Sequence, residues 1–288
     1  MDAKRFIMQL NEFKQVFFFD LSKLYATTEI QSFFNILIES KLNLTRVDVA
    51  LSPTIKLNKE EFVYFQKALS NLKNSVPIQY IIGETSFYRL QFKVNNNVLI
   101  PRPETEELVE WIIKDSKNIP NIKILDIGTG SGCIAISLAK NLPNATVFAL
   151  DVSEKALEIA QNNAKTNNVT VHFLKENVLK INSLPDSFDI IVSNPPYVRD
   201  LEKKQIQKNV IDYEPHIALF VKNDNPLLFY KKISELAKTH LTQHGSLYFE
   251  INQYLGSETV ALLADKGFKN IELKKDIFKV DRMIKALL

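Results

Sequence analysis

From Lys123 onward, short apolar runs alternate with helical patterns, and this alternation restricts the fold more than any other feature of the 288-residue chain. The runs are "IKILDI", "TVFAL", "TVHFL", "DIIVS" and "SLYFEI"; helical stretches between them begin near Cys133, Ser153 and Asn225. Continuous apolar strands are buried on both faces, and helices between them force parallel crossovers. The pattern predicts an α/β domain with an open, mainly parallel sheet. A last helix, "LGSETVALLADKG", precedes "KNIELKKDI" and "KVDRMIKAL", which read as a closing strand pair.

Residues 1–83 carry a different pattern. "FKQVFFFDLSKLY", "TTEIQSFFNILIESKLN" and "NKEEFVYFQKALSNLKN" read as helices. Thr28 with Gln31, and Asn58 with Glu61, have the spacing of capping boxes. For the core residues of this region a plain helical bundle is a sufficient account. Residues 84–101 follow as a connector. Alternation over Phe87 to Val94, the run "NNN", and Val98 to Ile100 predict a β-hairpin turning at the asparagines. The third division is 102–288.

Composition excludes several classes of protein. With 45% hydrophobic and 24% charged residues, the chain has enough apolar material for a packed core. A net charge of +3 permits an acidic partner without requiring one. Cys133 is the only cysteine, which excludes an intrachain disulfide and fits a reducing cytosol. The start, "MDAKRFIMQLNEFK", places charges where a signal peptide needs an apolar run. No stretch reaches the ~18 apolar residues of a membrane span. The expected location is cytoplasmic. His172, His216, His240 and His244 show no metal-ligand spacing, so no metal is expected.

Glycine is scarce, yet three of the seven fall within "GTGSG", Gly128 to Gly132. The segment "ILDIGTGSGCIAISLA" reads strand, turn, helix. Such a turn bares backbone N–H groups at a strand's carboxyl end, where a cofactor can lie against Gly128, Thr129, Gly130, Ser131 and Gly132. The spacing is G-x-G-x-G and not the dinucleotide G-x-G-x-x-G, and a tight structural turn is the competing account. Asp151 ends the next strand, 19 residues after Gly132, near the ~20 expected for an acidic group on ribose hydroxyls. As a helix cap it competes with Ser153, which fills that role better. Asn177 and Val178 end the third strand, where an adenine meets a polar edge and an apolar face. Asn177 reads equally well as a turn residue.

The fourth strand ends in Asn194-Pro195-Pro196-Tyr197. Neither proline has an N–H, and each restricts the residue before it, so the corner is stiff and rich in acceptors. The Asn194 side-chain oxygen and the Pro195 carbonyl suit the two hydrogens of one planar –NH2, with Tyr197 flat against the group that carries it. A nitrogen of this kind is a weak nucleophile, and orienting it toward an electrophile is the useful service. Methyl transfer from S-adenosylmethionine fits.

"ILDIGTGSG", "LDVS" and "SNPPY" resemble the class I methyltransferases that act on planar amino groups. "VPIQYIIG", "LIPRPETEELV" and "YEPHIAL" further resemble the release-factor glutamine N5-methyltransferases, the PrmC/HemK family, from about Pro77 to the C-terminus. The resemblance implies a Rossmann-like methyltransferase domain with an antiparallel C-terminal strand, preceded by a small helical substrate-recognition domain. It implies S-adenosylmethionine as cofactor. It implies class I peptide chain release factors as partners, methylated on the glutamine of their Gly-Gly-Gln loop, with no membrane and no direct nucleic-acid substrate. By position, the glycine turn, Asp151, Asn177, Val178 and Asn194 would hold the cofactor. Asn194, Pro195, Pro196 and Tyr197 would hold the glutamine, with Asn194, Pro195 and Tyr197 catalytic.

The chain departs from the family pattern at "FVKNDNPLLFY", at "EINQ" and "KVDR", which replace glycine-containing versions, and at Asn177, where an acidic residue is usual. Adenine-N6 methylation of DNA or RNA remains open, because the same corner can hold a base amine. Methylation of a ribosomal-protein glutamine remains open too. Arg102, Glu104 and Glu106 read either as a Pro-led helix start or as cleft lining. Glu214 reads either as orienting the loop after the corner or as a surface residue. Cys133 reads as a packed small side chain.

Overall fold

The computed structural model describes residues 8–288; the stretch 1–7, part of the segment read above for a leader, lies outside them. Two compact units emerge. One holds the described residues up to Gly83 together with Lys208–Tyr213; the other holds Glu84–Gln207 and Glu214–Leu288.

In the first unit, helices α1 (Leu10–Leu21), α2 (Thr27–Leu42) and α3 (Lys59–Lys73) each bury one stripe. On α1 it is Leu10, Phe13, Phe17 and Leu21; on α2 Ile30, Phe34, Leu37 and Ile38; on α3 Phe65, Ala68, Leu69 and Leu72. This is the helical period of a one-faced helix. The stripes meet through aromatic rings, Phe13 on Phe65 at 5.7 Å and Phe17 on Phe34 at 5.3 Å between centroids. The Asn58–Glu61 capping box is formed, with Glu61 N donating to Asn58 Oδ1 and Asn58 N to Glu61 Oε2. The Thr28–Gln31 box is not. Helix α2 begins two residues earlier than that box requires, after Ala26, so Thr28 is already inside the first turn and Gln31 bonds Asn35 instead. A box that spacing did not single out caps the short helix Arg46–Leu51, through Thr45 and Asp48.

The second unit opens with the hairpin, but its turn lies elsewhere. Strands β1 (Glu84–Phe87) and β2 (Leu90–Lys93) pair antiparallel around Tyr88–Arg89, not around the asparagines. Both turn residues have positive φ, 46° and 63°. Two-residue hairpin turns need that geometry, which Asn and Gly supply cheaply and bulky residues do not. Tyr88 is held there from outside the hairpin: its N–H donates to Glu106 and its hydroxyl to Glu110, both on helix α4 (Pro103–Ser116). The asparagines instead make a local turn, with Asn97 N donating to Asn95 Oδ1. Val98 and Ile100 after them are buried without forming a strand.

The sheet contains β3 (Lys123–Ile127), β4 (Thr146–Asp151), β5 (His172–Lys175), β6 (Phe188–Ser193), β7 (Leu241–Glu250), β8 (Lys269–Lys275) and β9 (Asp281–Leu287). Its order is β8-β9-β7-β6-β3-β4-β5. The pairs β7-β6, β6-β3, β3-β4 and β4-β5 are parallel; β9 is antiparallel to both neighbours. Alternate residues of single strands enter different cores. Ile124, Ile190 and Tyr248 pack with Leu108 and Ile112 of α4 and Ile134 of α5 (Cys133–Asn141). Leu125, Ile191, Leu247 and Phe249 pack with Ile233 of α7 (Leu228–His240) and Leu263 of α8 (Gly256–Asp265). Helix α6 (Glu154–Thr166) lies between β4 and β5 in sequence. Helix α7 starts three residues later than the pattern suggests, because Pro226 turns Asn225 away from helical geometry. Strand order reverses between β3 and β6. At such a switch point the carboxyl ends of the strands leave a crevice.

Candidate active site

Four strand ends line that crevice. Gly128 follows β3, Asp151 ends β4, Asn177 and Val178 follow β5, and Asn194 follows β6. Together with Gly130 and Pro195 they border a cavity of about 220 Å³. The strands are locked level at this end, where the buried Ser193 hydroxyl donates to the Ile127 carbonyl at 2.7 Å.

All three glycines of the turn have positive φ, 77°, 56° and 83°. A Cβ at Gly128 or Gly130 would meet nothing within 4 Å, so the turn faces open space on that side. At Gly132 a Cβ would come within 2.7 Å of the Ile136 side chain and 3.1 Å of Ala160. Gly128 and Gly130 therefore leave room for a ligand, whereas Gly132 lets α5 and α6 approach. Thr129 and Ser131 are buried and do not border the cavity. Thr129 donates its hydroxyl to Asp126 at 2.6 Å, and the Ser131 carbonyl accepts from Asn163. Asn163 also exchanges two hydrogen bonds with the backbone of Lys93, so one fully buried amide ties the glycine turn to the hairpin.

Asp151 accepts Gly130 N–H and Ser153 N–H, each at 2.8 Å, one on each oxygen. Burial raises its pKa, and those backbone donors pull it back. The Val152 N–H acts on it too, so of the about four acceptor positions of a carboxylate roughly one remains for an outside donor. Ser153 caps α6 through Ala156 N. Asn177 borders the cavity while its side-chain oxygen accepts Leu179 N, so it is a turn residue as well.

The proline corner is tied from behind. Asn194 Nδ2 donates to Thr105 Oγ1 at 3.3 Å, and Thr105 Oγ1 donates to Glu250 Oε2 at 2.6 Å. The Tyr197 hydroxyl donates to Glu250 Oε1 at 3.0 Å. Tyr197 does not border the cavity, whereas Pro195 and Pro196 do. Its pKa is driven far up by burial and by the Glu250 charge, so it stays a neutral phenol. Asn252 Nδ2 donates to the Tyr197 carbonyl and to Glu202, and Arg282 reaches the Ile251 carbonyl and Asp276. Thus "EINQ" and "KVDR" both brace the corner. Arg102 donates to the buried Glu214 at 2.6 Å, and Glu214 also accepts Ile100 N. Glu214 is therefore a tie between chain segments and not a surface residue.

Asp126, Thr105, Glu250 and Asn163 escaped the sequence reading. Asp126 and Glu250 left a trace, as acids within or closing apolar runs. Asp126 is fully buried, and burial pushes its pKa up to about 7, against the pull of Thr129 and of Ala135 N–H. Cys133 has its thiol pushed up to about 12 by burial, which makes it unreactive. Among the described residues no group of three or more His, Cys, Asp or Glu could hold a metal, and no helix is long and apolar enough to cross a membrane.

Known proteins match over nearly the whole chain. A release factor glutamine methyltransferase of Flavobacterium psychrophilum is 58% identical over 282 residues, 97% of this chain and 99% of that one. The chain belongs to the release factor glutamine methyltransferase family. Its counterpart in Bacteroides thetaiotaomicron is 40% identical over 267 residues, 92% and 95% of the two chains. Two family models match: the methyltransferase small domain over residues 105–217 and the PrmC N-terminal domain over residues 28–83. Among solved structures, a 16S rRNA methyltransferase of T. thermophilus with AdoMet and guanosine superposes with a TM-score of 0.51. It is 18% identical, over 71% of this chain and 49% of that one, a likeness of fold alone. The chain is thus a methyltransferase with a Rossmann-like domain of the class I kind.

Proposed function

We propose that this enzyme transfers a methyl group from S-adenosylmethionine to the side-chain amide nitrogen (N5) of the glutamine in the Gly-Gly-Gln motif of class I peptide chain release factors. The observation that carries the reading is the placing of Asn194, Pro195 and Pro196 on the same cavity as Asp151 and the glycine turn. When bound, S-adenosylmethionine would supply an electrophilic methyl on a sulfonium: the S–CH3 bond breaks as the N–CH3 bond forms, the sulfur leaves as a neutral thioether, and the methylated amide nitrogen, strongly acidic at that point, passes its proton to solvent water.

The residues of the chain bind and orient. The backbone at Gly128 and Gly130 and the remaining acceptor capacity of Asp151 hold the cofactor, the latter through the ribose. Val178 offers the adenine an apolar face, with Asn177 beside it. The Asn194 side-chain oxygen and the Pro195 carbonyl take the two amide hydrogens, and Tyr197 stiffens the corner from the rear. Fixing the amide against the methyl makes their encounter effectively unimolecular, and dipoles fixed in advance stabilise charge as it develops. Among the residues bordering the cavity the titratable side chains are the carboxylates of Asp151 and Glu176, both weak bases, which suits a mechanism resting on position. Release factors as substrates, with no nucleic acid as substrate, agree with a cytoplasmic enzyme of translation termination.

The test presents tritiated cofactor to a folded release factor, a Gly-Gly-Gln peptide, duplex DNA, ribosomal RNA and ribosomal proteins side by side. Label on the release-factor glutamine is expected, with far less on the peptide, since remote contacts raise the rate at the reacting group. Label in adenine and none in the release factor would replace this reading with base methylation, and label only in a ribosomal protein would move the substrate there.

A further inference from the structure

We infer that Thr105 and Glu250 set the polarity of Asn194, turning its side-chain oxygen and not its –NH2 toward the acceptor. The inference rests on the reading above of Asn194 as the group that receives the substrate's hydrogen. An asparagine side chain is nearly symmetric in shape, and a flip by half a turn exchanges an acceptor for a donor at almost no steric cost. A site that must receive an N–H therefore needs something to choose between the two faces.

The choice is made by a chain of hydrogen bonds with one direction. Glu250 is 1% exposed at the end of β7, and Thr105 is 2% exposed in the first turn of α4. A carboxylate only accepts, so at 2.6 Å the single hydrogen of Thr105 is committed to Glu250 Oε2. What Thr105 presents to Asn194 is lone pairs alone. Only the –NH2 face of Asn194 satisfies them, and the contact is Asn194 Nδ2 to Thr105 Oγ1 at 3.3 Å. The oxygen is left on the other side of the amide.

Glu250 serves as the acceptor at both of its oxygens, taking the Thr105 hydroxyl on one and the Tyr197 hydroxyl on the other. Burial raises its pKa on balance, against the pull of the Thr105 hydroxyl, the Arg282 charge and the Tyr197 hydroxyl. Because Tyr197 donates to the second oxygen, one buried carboxylate fixes both ends of the corner. Thr105 and Glu250 are positioning residues: the structure places both behind the cavity lining.

The test compares Thr105→Val, Thr105→Ser, Asn194→Asp and the double variant Asn194→Asp with Glu250→Gln, using release factor and S-adenosylmethionine. Valine keeps the volume of threonine and removes the hydroxyl. Thr105→Val is expected to lower kcat by roughly ten- to a hundredfold, the scale of one lost partner for a buried polar group. KM for the release factor and cofactor Kd should stay within about threefold of the wild type, as for a loss felt only in the transition state. Thr105→Ser, which restores the hydroxyl, should recover most of kcat. In Asn194→Asp two carboxylates compete for one Thr105 hydrogen. Adding Glu250→Gln supplies an –NH2 to Thr105, frees that hydrogen for the new carboxylate and reverses the chain. The double variant should then exceed Asn194→Asp alone by about tenfold.

A double variant no better than the single one would overturn the inference even if Thr105→Val failed to fold. So would Thr105→Ser as slow as Thr105→Val, or Thr105→Val at wild-type kcat. Asn194→Ala separates the two levels. If it turns over normally, the reading of the site falls; if it is inactive while Thr105→Val is not, only the polarity chain falls.

Discussion

The two sides of the cavity are built by different means. The cofactor side is made of local chain: a glycine turn, backbone N–H groups, and one aspartate 19 positions after the last glycine. The acceptor side is assembled from far apart. Asn194 meets Thr105 across 89 positions, and Thr105 meets Glu250 across 145. The glycine turn and Asp151 need only that β3 and β4 pair, with Asn177 and Val178 added by the next strand, β5; the acceptor side needs α4, β6 and β7 to be in place together. On the proposed reading of the site, binding and orienting are borne by separate structures, and substitutions should pull them apart.

The largest expected effect is on the acceptor side. Asn194→Ala should cost ~2–4 kcal/mol in the transition state, about thirty- to a thousandfold in kcat. Cofactor affinity should change by no more than a few-fold. Turnover assays alongside calorimetry check this, and a variant that lost both together would break the division. Next comes Asp151→Ala, which should weaken cofactor binding by ~1.5–3 kcal/mol, or roughly ten- to a hundredfold. An unchanged calorimetric Kd would move the ribose contact off the cofactor side.

The smallest effect concerns Asp126, beneath the glycine turn. Its pKa of about 7 lies above the ~3.9 of an unfolded chain, so the folded state holds the proton more tightly. That contribution to stability is fully present below about pH 4 and is lost as pH rises toward 7. Asp126→Asn should flatten the fall in stability between about pH 4 and pH 7, read from urea unfolding at each pH. An unaltered slope would mean that the carboxylate is ionised in the fold without cost.

The same contrast explains what could be read from residues alone. The strands were legible because burial on both faces demands unbroken apolar runs, and the glycine turn because its geometry demands glycine. Asn194 to Tyr197 stood out because two prolines after a strand are chemically odd. The hairpin turn was misplaced because it runs through Tyr88 and Arg89 at positive φ, with Tyr88 held there by acids on α4, which no local rule anticipates. The Thr28–Gln31 box failed because α2 starts two residues early, and a cap is lost when its residue enters the helix. Thr105 left no signal: a threonine in an acidic first turn looks like solvent-facing helix until β7 brings Glu250 against it.

The segment Lys208–Tyr213 has a consequence for how the protein is made. It belongs to the helical unit, and Tyr213 donates its hydroxyl to the Asn74 carbonyl at 2.8 Å. The two parts are separated by 124 residues, from Glu84 to Gln207, all of the other unit. At ~5–20 residues per second a ribosome needs roughly 6–25 s to cross that gap. Throughout that interval the nascent helical unit exists without its final piece, and Asn74 is left to water or to a chaperone. A copy of the first 83 residues made alone would remain in that state, so a fragment built to isolate the helical unit needs Lys208–Tyr213 grafted back.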